Sequence, residues 1–295
     1  MTAFLRMTAG LFLFAGLACA TGMVRSARIA PAGQWIDLEV PFIVEGVARS
    51  VQARAYFPEG YAARKGRTLI LLHDHRGSSR DWGANTEARR YADEYGLVLV
   101  CPSMEGTQYE TAYYPETRAK WDLIPGGRWV STVLVPYLRH EYGVARTRTS
   151  TGIAGTGTGA RGALLVAASY PDMFGAAAGL SGYYDVMALT QNQALSAVYG
   201  RFSDFRERWL RDDNILELAV NLEKTPVFLA HGDKDTTVPI EQSRLLGIRL
   251  NLLQKKKGAG YDVDYREVRN QSHEWKLWRG VTADMMAFFN AHLIN

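Results

Sequence analysis

The sequence predicts an α/β fold, with helices on both faces of a mostly parallel sheet. Short apolar runs typical of buried strands alternate with segments of helical spacing along most of the chain. A hydrophobic content of 47% is enough for a large buried core. The length of 295 residues suits one α/β domain, and the chain has neither an internal repeat nor a low-complexity linker.

The first half of the chain opens with two alternating runs that predict an antiparallel hairpin. A continuous apolar run then predicts a strand buried on both faces, and a helical stretch closed by Gly96 leads to a second such strand. A long, aromatic-rich connection precedes the next helix. The predicted strands are 35–40, 50–57, 68–73 and 97–101, the helices are 81–95 and 129–142, and the connection is 102–127.

The second half continues the alternation of strands and helices, which predicts parallel pairing. One stretch, residues 183–224, has mixed helical and irregular character and predicts a small insertion over the sheet. The predicted strands are 150–154, 176–180, 226–231 and 261–268, and the helices are 159–170, 241–253 and 281–293.

The N-terminus has the pattern of a secretory signal peptide. Arg6 precedes the apolar run 11–20, which ends with small residues at Ala18 and Ala20. We therefore expect cleavage after residue 20, a single domain over 21–295, and a secreted or periplasmic protein. An uncleaved membrane anchor and lipidation at Cys19 are the alternatives. After cleavage Cys101 is the only cysteine, so no intrachain disulfide is expected.

The charge pattern argues against nucleic-acid binding. The net charge of +4 comes from interspersed residues, and the short run 255–257 is typical of a solvated helix end. His73, Asp74 and His75 are close in sequence, but no second ligand cluster has the usual metal spacing. Neither a metal nor another cofactor is expected.

The most informative segment is Gly155-Thr-Gly-Thr-Gly159, between a predicted strand and a predicted helix of small residues. A strand that enters a glycine-rich turn and then a helix is typical of a nucleophile elbow, where the nucleophile has glycines two residues to either side. With Gly155 and Gly159 in the flanking positions, the nucleophile position falls on Gly157. Glycine has no side chain that could attack a substrate.

Further residues extend the pattern beyond the turn: Ala163-Leu164, Tyr170-Pro-Asp-Met-Phe174 and Ser181-Gly182. With these residues the chain resembles the esterase D-type (putative esterase) family of α/β-hydrolases, and the resemblance covers about residues 50–292. It implies an α/β-hydrolase fold and a catalytic serine at the position that Gly157 occupies. The Ala163-Leu164 pair sets the same register as the glycines.

The resemblance also implies an acid and a base in fixed chain order. The turn after the strand 226–231 points to Asp235 as the acid, with Asp233 as the weaker candidate. His273, followed by two tryptophans, is the implied base, and His231 has a structural role. We expect Asp235 and His273 to be hydrogen-bonded, with the imidazole facing Gly157 across an empty space.

The implied oxyanion donors are the backbone N–H of Thr158 and one from the turn after His73, assigned to His75. This turn departs from the family's His-Gly pattern because Asp74 follows His73. Its carboxylate would place a negative charge where an oxyanion forms. His75 and Arg76 could offset that charge.

The aromatic connection supplies candidates for the rim of a ligand cleft: Tyr113, Tyr114 and Trp121. Aromatic side chains suit sugars or phenolic rings, but these residues would equally suit packing against the insertion 183–224. Both interpretations remain open.

Two functions follow from this pattern. In the first, the chain is a secreted pseudoenzyme or ligand-binding module without a serine nucleophile, whose ligand is a small ester or a glycan-like molecule. In the second, it is an active carboxylic-ester hydrolase that uses a relocated nucleophile or a water activated by the His273–Asp235 pair. Thr156, Thr158 and Ser181 are the hydroxyl candidates for relocation.

Overall fold

An eight-stranded sheet forms the centre of the computed structural model, which describes residues 27–61, 66–117, 124–257 and 260–294. The predicted signal peptide and Trp121 lie outside these residues. The strand order is β1-β2-β4-β3-β5-β6-β7-β8. The strands are β1 Trp35–Val44, β2 Val47–Tyr56, β3 Thr68–Leu72, β4 Val98–Pro102, β5 Thr151–Thr156, β6 Ala176–Leu180, β7 Val227–Gly232 and β8 Val263–Val268.

The sheet is mostly parallel, as the sequence predicts. β1 and β2 form an antiparallel hairpin, β2 pairs antiparallel with β4, and every pairing from β4 to β8 is parallel. All residues of β3, β4, β5, β6 and β7 are buried, because helices cover both faces of the central strands. The carboxyl ends of β3, β5 and β7 therefore meet at one edge of the sheet, where α/β folds place their binding sites.

Three predicted helices differ in where they begin or in their continuity, and a fourth, predicted over 241–253, continues to Lys257. The predicted helix 81–95 is interrupted at residues 86–87, where Thr86 Oγ1 accepts a hydrogen bond from the backbone of Ala88. The helix predicted from 129 begins at Gly126 and contains one π-helical turn, Val130–Leu134. The last helix begins at Trp275, because Leu277, Trp278 and Val281 already form its buried face. The helices are α1 Asp81–Asn85, α2 Ala88–Tyr95, α3 Gly126–Trp129, α4 Val135–Tyr142, α5 Thr158–Ser169, α6 Gln193–Tyr199, α7 Arg206–Arg211, α8 Ile215–Leu218, α9 Glu241–Lys257 and α10 Trp275–His292.

Residues 183–224 form a helical segment beside the sheet edge, with α6, α7, α8 and two short 3₁₀ turns, Val186–Leu189 and Ala219–Leu222. The first part of this segment has a small apolar cluster of its own. The cluster also includes Val238, which follows β7, so the segment is anchored next to the carboxyl end of that strand. The buried members are Tyr183, Val186, Leu195, Val198, Tyr199, Trp209 and Val238.

In the part of the chain that the structure describes, no helix is both long enough and apolar enough to span a bilayer.

Candidate active site

Gly157 lies in the tight turn between β5 and α5, at the carboxyl edge of the sheet. Its backbone has φ +52° and ψ −116°, a conformation that side-chain-bearing residues adopt only under strain. The flanking glycines are required for close packing, because a Cβ at Gly155 would overlap the backbone of Gly159 and a Cβ at Gly159 would overlap that of Leu72 and His73. The turn therefore has the geometry that the sequence pattern predicts.

Asp235 and His273 are in contact, as the sequence predicts. Asp235 lies in the turn after β7, and its Oδ2 is 2.7 Å from His273 Nδ1. Its Oδ1 accepts backbone N–H groups from Thr237 and Val238 at 2.9 Å and 2.8 Å. The weaker candidate Asp233 instead accepts the backbone N–H of Asn270 and is exposed. Of the two carboxylates, only that of Asp235 is bonded to the imidazole.

A second histidine contacts Asp235 from the strand that precedes it. His231 Nε2 lies 3.2 Å from Asp235 Oδ2 and 3.0 Å from the carbonyl oxygen of Val238. Its Nδ1 is 2.7 Å from the hydroxyl of Ser243, which donates when Nε2 carries the proton. Both His231 and Asp235 have fully buried side chains. Two imidazoles therefore hold the acid in place.

The space between His273 and Gly157, which the sequence predicts to be empty, is filled by the carboxylate of Asp74. A Cβ added at Gly157 would lie 2.6 Å from Asp74 Oδ2 and closer still to its Oδ1 and Cγ. Asp74 Oδ2 is 3.2 Å from His273 Nε2. The space is occupied for a steric reason. Glycine at 157 has no side chain, so the Asp74 side chain, from the end of the neighbouring strand, fits into this volume.

Both predicted oxyanion donors point at this carboxylate. The backbone N–H groups of Thr158 and His75 each donate a hydrogen bond to Asp74 Oδ1, both with a donor–acceptor distance of 2.7 Å. The chain thus has the paired N–H groups that stabilise an oxyanion in acyl-transfer enzymes, and an anion of its own lies between them. The charge of Asp74 is balanced by His273, a partner that the sequence does not indicate.

The imidazole of His273 lies between two carboxylates, an arrangement that favours its cationic form at neutral pH. Burial alone would lower its pKa, but the hydrogen bonds to Asp235 and Asp74 outweigh burial and raise the pKa to about 9. Burial would raise the pKa of Asp74, and its bonds to His273 and Thr158 reverse this and hold the pKa below its ordinary value. The pKa of Asp235 is lowered as well, because its bonds to His231 and His273 outweigh burial. Since both nitrogens of His273 carry protons, it cannot accept one from a hydroxyl group.

A cavity of about 280 Å³ opens onto Asp74 and His273. The segment 183–224 lines it through Leu189, Asn192 and Ala194, and the turn Thr237–Pro239 lines it as well. Gln108 and Tyr183 also line the cavity and are hydrogen-bonded to each other. The tyrosine hydroxyl donates to Gln108 Oε1 at a distance of 2.5 Å. The space is large enough for a small molecule or for one end of a longer ligand.

The two described residues of the predicted aromatic rim, Tyr113 and Tyr114, do not line the cavity. Tyr114 packs against the segment 183–224: its hydroxyl donates to the carboxylate of Asp212, and its ring centroid lies 4.1 Å from the guanidinium carbon of Arg208. This corresponds to the packing interpretation that the sequence leaves open. Trp121 lies outside the described residues.

A buried arginine of the helix after the turn connects the cavity walls. Arg161 is fully buried and donates to the carbonyl oxygen of Gln108 at 2.6 Å, to Tyr199 Oη at 2.7 Å and to the carbonyl oxygen of Asp213 at 3.1 Å. The carboxylate of Asp213 accepts the Tyr199 hydroxyl at 3.0 Å and the backbone N–H of Thr111 at 2.9 Å. These bonds hold the loop around Gln108 and the segment 183–224 against α5.

Within the described residues, no group of three or more His, Cys, Asp or Glu side chains is arranged to hold a metal ion.

The comparisons with known proteins agree with this geometry. A family model described as "Putative esterase" matches residues 45–289, most of the chain. The chain belongs to this esterase family. The chain is also similar to the diacylglycerol acyltransferase/mycolyltransferase Ag85B of Mycobacterium leprae, with 26% identity in a 273-residue alignment that covers 82% of this chain and 79% of that protein.

Two further similarities concern a part of the sequence and the fold. Feruloyl esterase B of Talaromyces stipitatus is 28% identical over 134 residues, 45% of this chain, and the match spans only 36% of that enzyme. The solved structure of FphF, a fluorophosphonate-binding serine hydrolase of Staphylococcus aureus, superposes with a TM-score of 0.69 at 16% identity and covers 88% of this chain and 99% of its own. The fold of the esterase-family chain is therefore an α/β-hydrolase fold.

Three residues have roles in the site that the sequence pattern alone does not assign. The sequence presents Asp74 only as a disturbance of the oxyanion turn, although a glycine at the expected nucleophile position and a carboxylate in the oxyanion turn occur together in this chain. His231 contacts Asp235 four residues away, whereas its place at a strand end predicts only a structural role. Gln108 lies in the long connection, where nothing in the sequence marks it as facing the cavity.

Proposed function

We propose that this esterase-family protein does not act as a serine esterase, and that Asp74 has taken the place of the family's serine beside a small-molecule pocket. The observation that carries the proposal is the position of the Asp74 carboxylate, which lies against the Cα of Gly157, between the Thr158 and His75 N–H groups and next to His273. A serine at the elbow would need the same space, the same base and the same donors.

The hydroxyl candidates for a relocated nucleophile receive no support from their positions. Ser181 is fully buried, and its Oγ accepts the indole N–H of Trp278 at 3.1 Å. Thr156 is fully buried within β5. Thr158 lines the cavity, but the nitrogen that would have to serve as its base, His273 Nε2, faces Asp74 Oδ2 at 3.2 Å. Both ring nitrogens of His273 are engaged by carboxylates, so neither is free to activate a hydroxyl or a water in the resting state.

The ligand is proposed to be a small molecule that enters the cavity beside Asp74. Ester-like and glycan-like molecules, which the family resemblance implies, are the first classes to screen. The protein is also proposed to be exported, because residues 1–20 have a signal-peptide pattern. The N-terminal residue of protein purified from its native cells would reveal cleavage after residue 20, and an intact Met1 would contradict it.

We expect no reaction with a fluorophosphonate probe. Such probes capture serines that a neutral histidine activates, and here the imidazole is protonated and faces a carboxylate. Intact-protein mass spectrometry after incubation should show an unmodified chain, with FphF as the positive control. Stoichiometric labelling, at Ser181 or at any other residue, would contradict the proposed function.

A further inference from the structure

The two oxygens of Asp74 have different surroundings. Oδ1 is fixed by the N–H groups of Thr158 and His75, both at 2.7 Å. Among the described residues, Oδ2 has one hydrogen-bond partner, His273 Nε2 at 3.2 Å. The Asp74 side chain is 28% exposed and lines the cavity. One oxygen is therefore anchored as an oxyanion would be, and the other has a lone pair available to a bound ligand.

We propose that Asp74 is a covalent nucleophile that attacks a saturated carbon carrying a halide leaving group. This inference rests on the proposed function, in which Asp74 stands where the family has serine. Carboxylates are established nucleophiles in enzymes that form covalent intermediates. At an ester carbonyl the attack would give an anhydride and expel a much more basic alkoxide, which is unfavourable. At a saturated carbon with a good leaving group it gives a stable ester.

A halide fits the cavity better than a leaving group that must be protonated. The hydroxyl of Tyr183, on the cavity wall, already donates a hydrogen bond of 2.5 Å to Gln108 Oε1. It is therefore not free to protonate a departing oxygen. A halide leaves as a stable anion and needs only weak N–H donors. The side-chain amides of Gln108 and Asn192 line the same cavity.

In the first step, Asp74 Oδ2 forms a bond to the substrate carbon while the carbon–halogen bond breaks. The halide departs with the bonding electron pair, and no proton moves. Asp74 becomes a neutral alkyl ester, whose carbonyl oxygen, Oδ1, remains between the two backbone N–H groups.

Alkylation also prepares His273 for the second step. One of the two anions that raise its pKa has been neutralised, so the pKa falls from its resting value and loss of the imidazolium proton to solvent becomes easier. The neutral imidazole, still oriented by Asp235 Oδ2 at 2.7 Å, can then take a proton from a water molecule. In the resting protein the same histidine is cationic, so the base becomes available only after the covalent step.

In the second step, the water attacks Cγ of Asp74 while His273 accepts its proton. The negative charge of the tetrahedral intermediate develops on Oδ1, where Thr158 and His75 already donate. Collapse breaks the Cγ–Oδ2 bond, and His273 protonates the departing alkoxide. The new carboxyl group gives its proton to His273, which restores the resting pair. The net reaction converts one alkyl halide and one water into one alcohol, one halide ion and one proton.

The two-step mechanism transfers an oxygen atom from water to Asp74, whereas direct attack of water on the substrate carbon does not. If the wild-type protein turns over 1-bromobutane in oxygen-18 water, the label should enter the Asp74 carboxylate, and the first butanol released should carry the unlabelled Oδ2. Peptide mass spectrometry locates the label. Turnover without label in Asp74 would mean that water attacks the substrate carbon directly, and the inference would be overturned.

Two variants separate the steps. His273→Gln should accumulate a butyl ester on the peptide that contains Asp74, because the base of the second step is missing. Asp74→Asn should form no adduct and lose turnover by a factor on the order of 10⁴ or more, as expected for loss of a nucleophile. Asp172 is an exposed carboxylate, and Asp172→Asn is the matched control variant, which should behave as the wild type.

The absence of both turnover and adduct in the wild-type protein and in His273→Gln would overturn the inference. An unreactive Asp74 in a protein that also resists fluorophosphonates would leave the proposed function standing. Fluorophosphonate labelling would contradict both the proposed function and the covalent role of Asp74, so the two failures are distinguishable.

Discussion

The double variant Asp74→Gly, Gly157→Ser should hydrolyse short acyl esters such as p-nitrophenyl acetate, whereas Gly157→Ser alone should not. In the single variant the serine Cβ would overlap the Asp74 carboxylate. The turn's φ of +52° adds strain of about 1–3 kcal/mol for a residue with a side chain. If the space beside Gly157 were empty, as the sequence predicts, a serine there would be expected to suffice. Because the Asp74 carboxylate fills that space, we expect the second substitution to be needed.

Removal of the carboxylate changes three properties of the site together. It frees the volume beside residue 157, exposes the N–H groups of Thr158 and His75 to a substrate oxyanion, and takes away one of the two anions that keep His273 protonated. A neutral base next to a serine contributes roughly 10²–10⁴-fold to rate, so we expect at least about 10²-fold more hydrolysis than in the wild type.

The controls for this experiment are Asp74→Gly alone and the triple variant that adds His273→Ala. The first lacks a hydroxyl and the second lacks the base, so both should remain at the wild-type level. A folded double variant that is no more active than Asp74→Gly alone would show that the remaining elements do not form a working serine site.

The second expected result is a loss of stability at alkaline pH that depends on His273. The folded pKa of about 9 lies above the ordinary value of 6.5, so the stabilisation is fully present below pH 6.5 and is lost as the pH rises through about 9. At 1.36 kcal/mol per pKa unit the contribution is about 3 kcal/mol. Since the pKa values of Asp74 and Asp235 are lowered, both remain ionised throughout this window.

Urea unfolding of the wild type and of His273→Gln between pH 6 and pH 9.5 measures this contribution. The wild-type free energy of unfolding should fall more steeply with pH than that of the variant, which has no imidazole to titrate. Asp74→Asn should show an intermediate slope, because one of the two carboxylates remains. Equal slopes for the wild type and His273→Gln would contradict a protonated resting imidazole.

The parts of the site that depend on local chain geometry could be predicted from the sequence. The glycine spacing around Gly157 sets the turn, and the chain order after it identifies Asp235 and His273, which are 2.7 Å apart at Oδ2 and Nδ1. The sheet direction likewise follows from buried apolar runs that alternate with helices.

The position of the Asp74 side chain could not be predicted in the same way. It depends on the volume left by residue 157, which is 83 positions away in sequence and adjacent only after β3 and β5 pair. The packing of Tyr114 on Asp212 and Arg208 has the same origin, because it depends on how the segment 183–224 folds back. Such contacts are set by tertiary structure and leave no periodic pattern in the sequence.

The overlap between residues 74 and 157 also means that a serine at 157 and an aspartate at 74 compete for one volume. If the site arose from one with serine at 157 and glycine at 74, as the family resemblance implies, a protein with glycine at both positions avoids that conflict. Asp74→Gly produces this protein, with two free N–H donors beside His273. That variant should be less stable than the present protein at pH 7, because it lacks the hydrogen bonds that Asp74 makes with Thr158, His75 and His273.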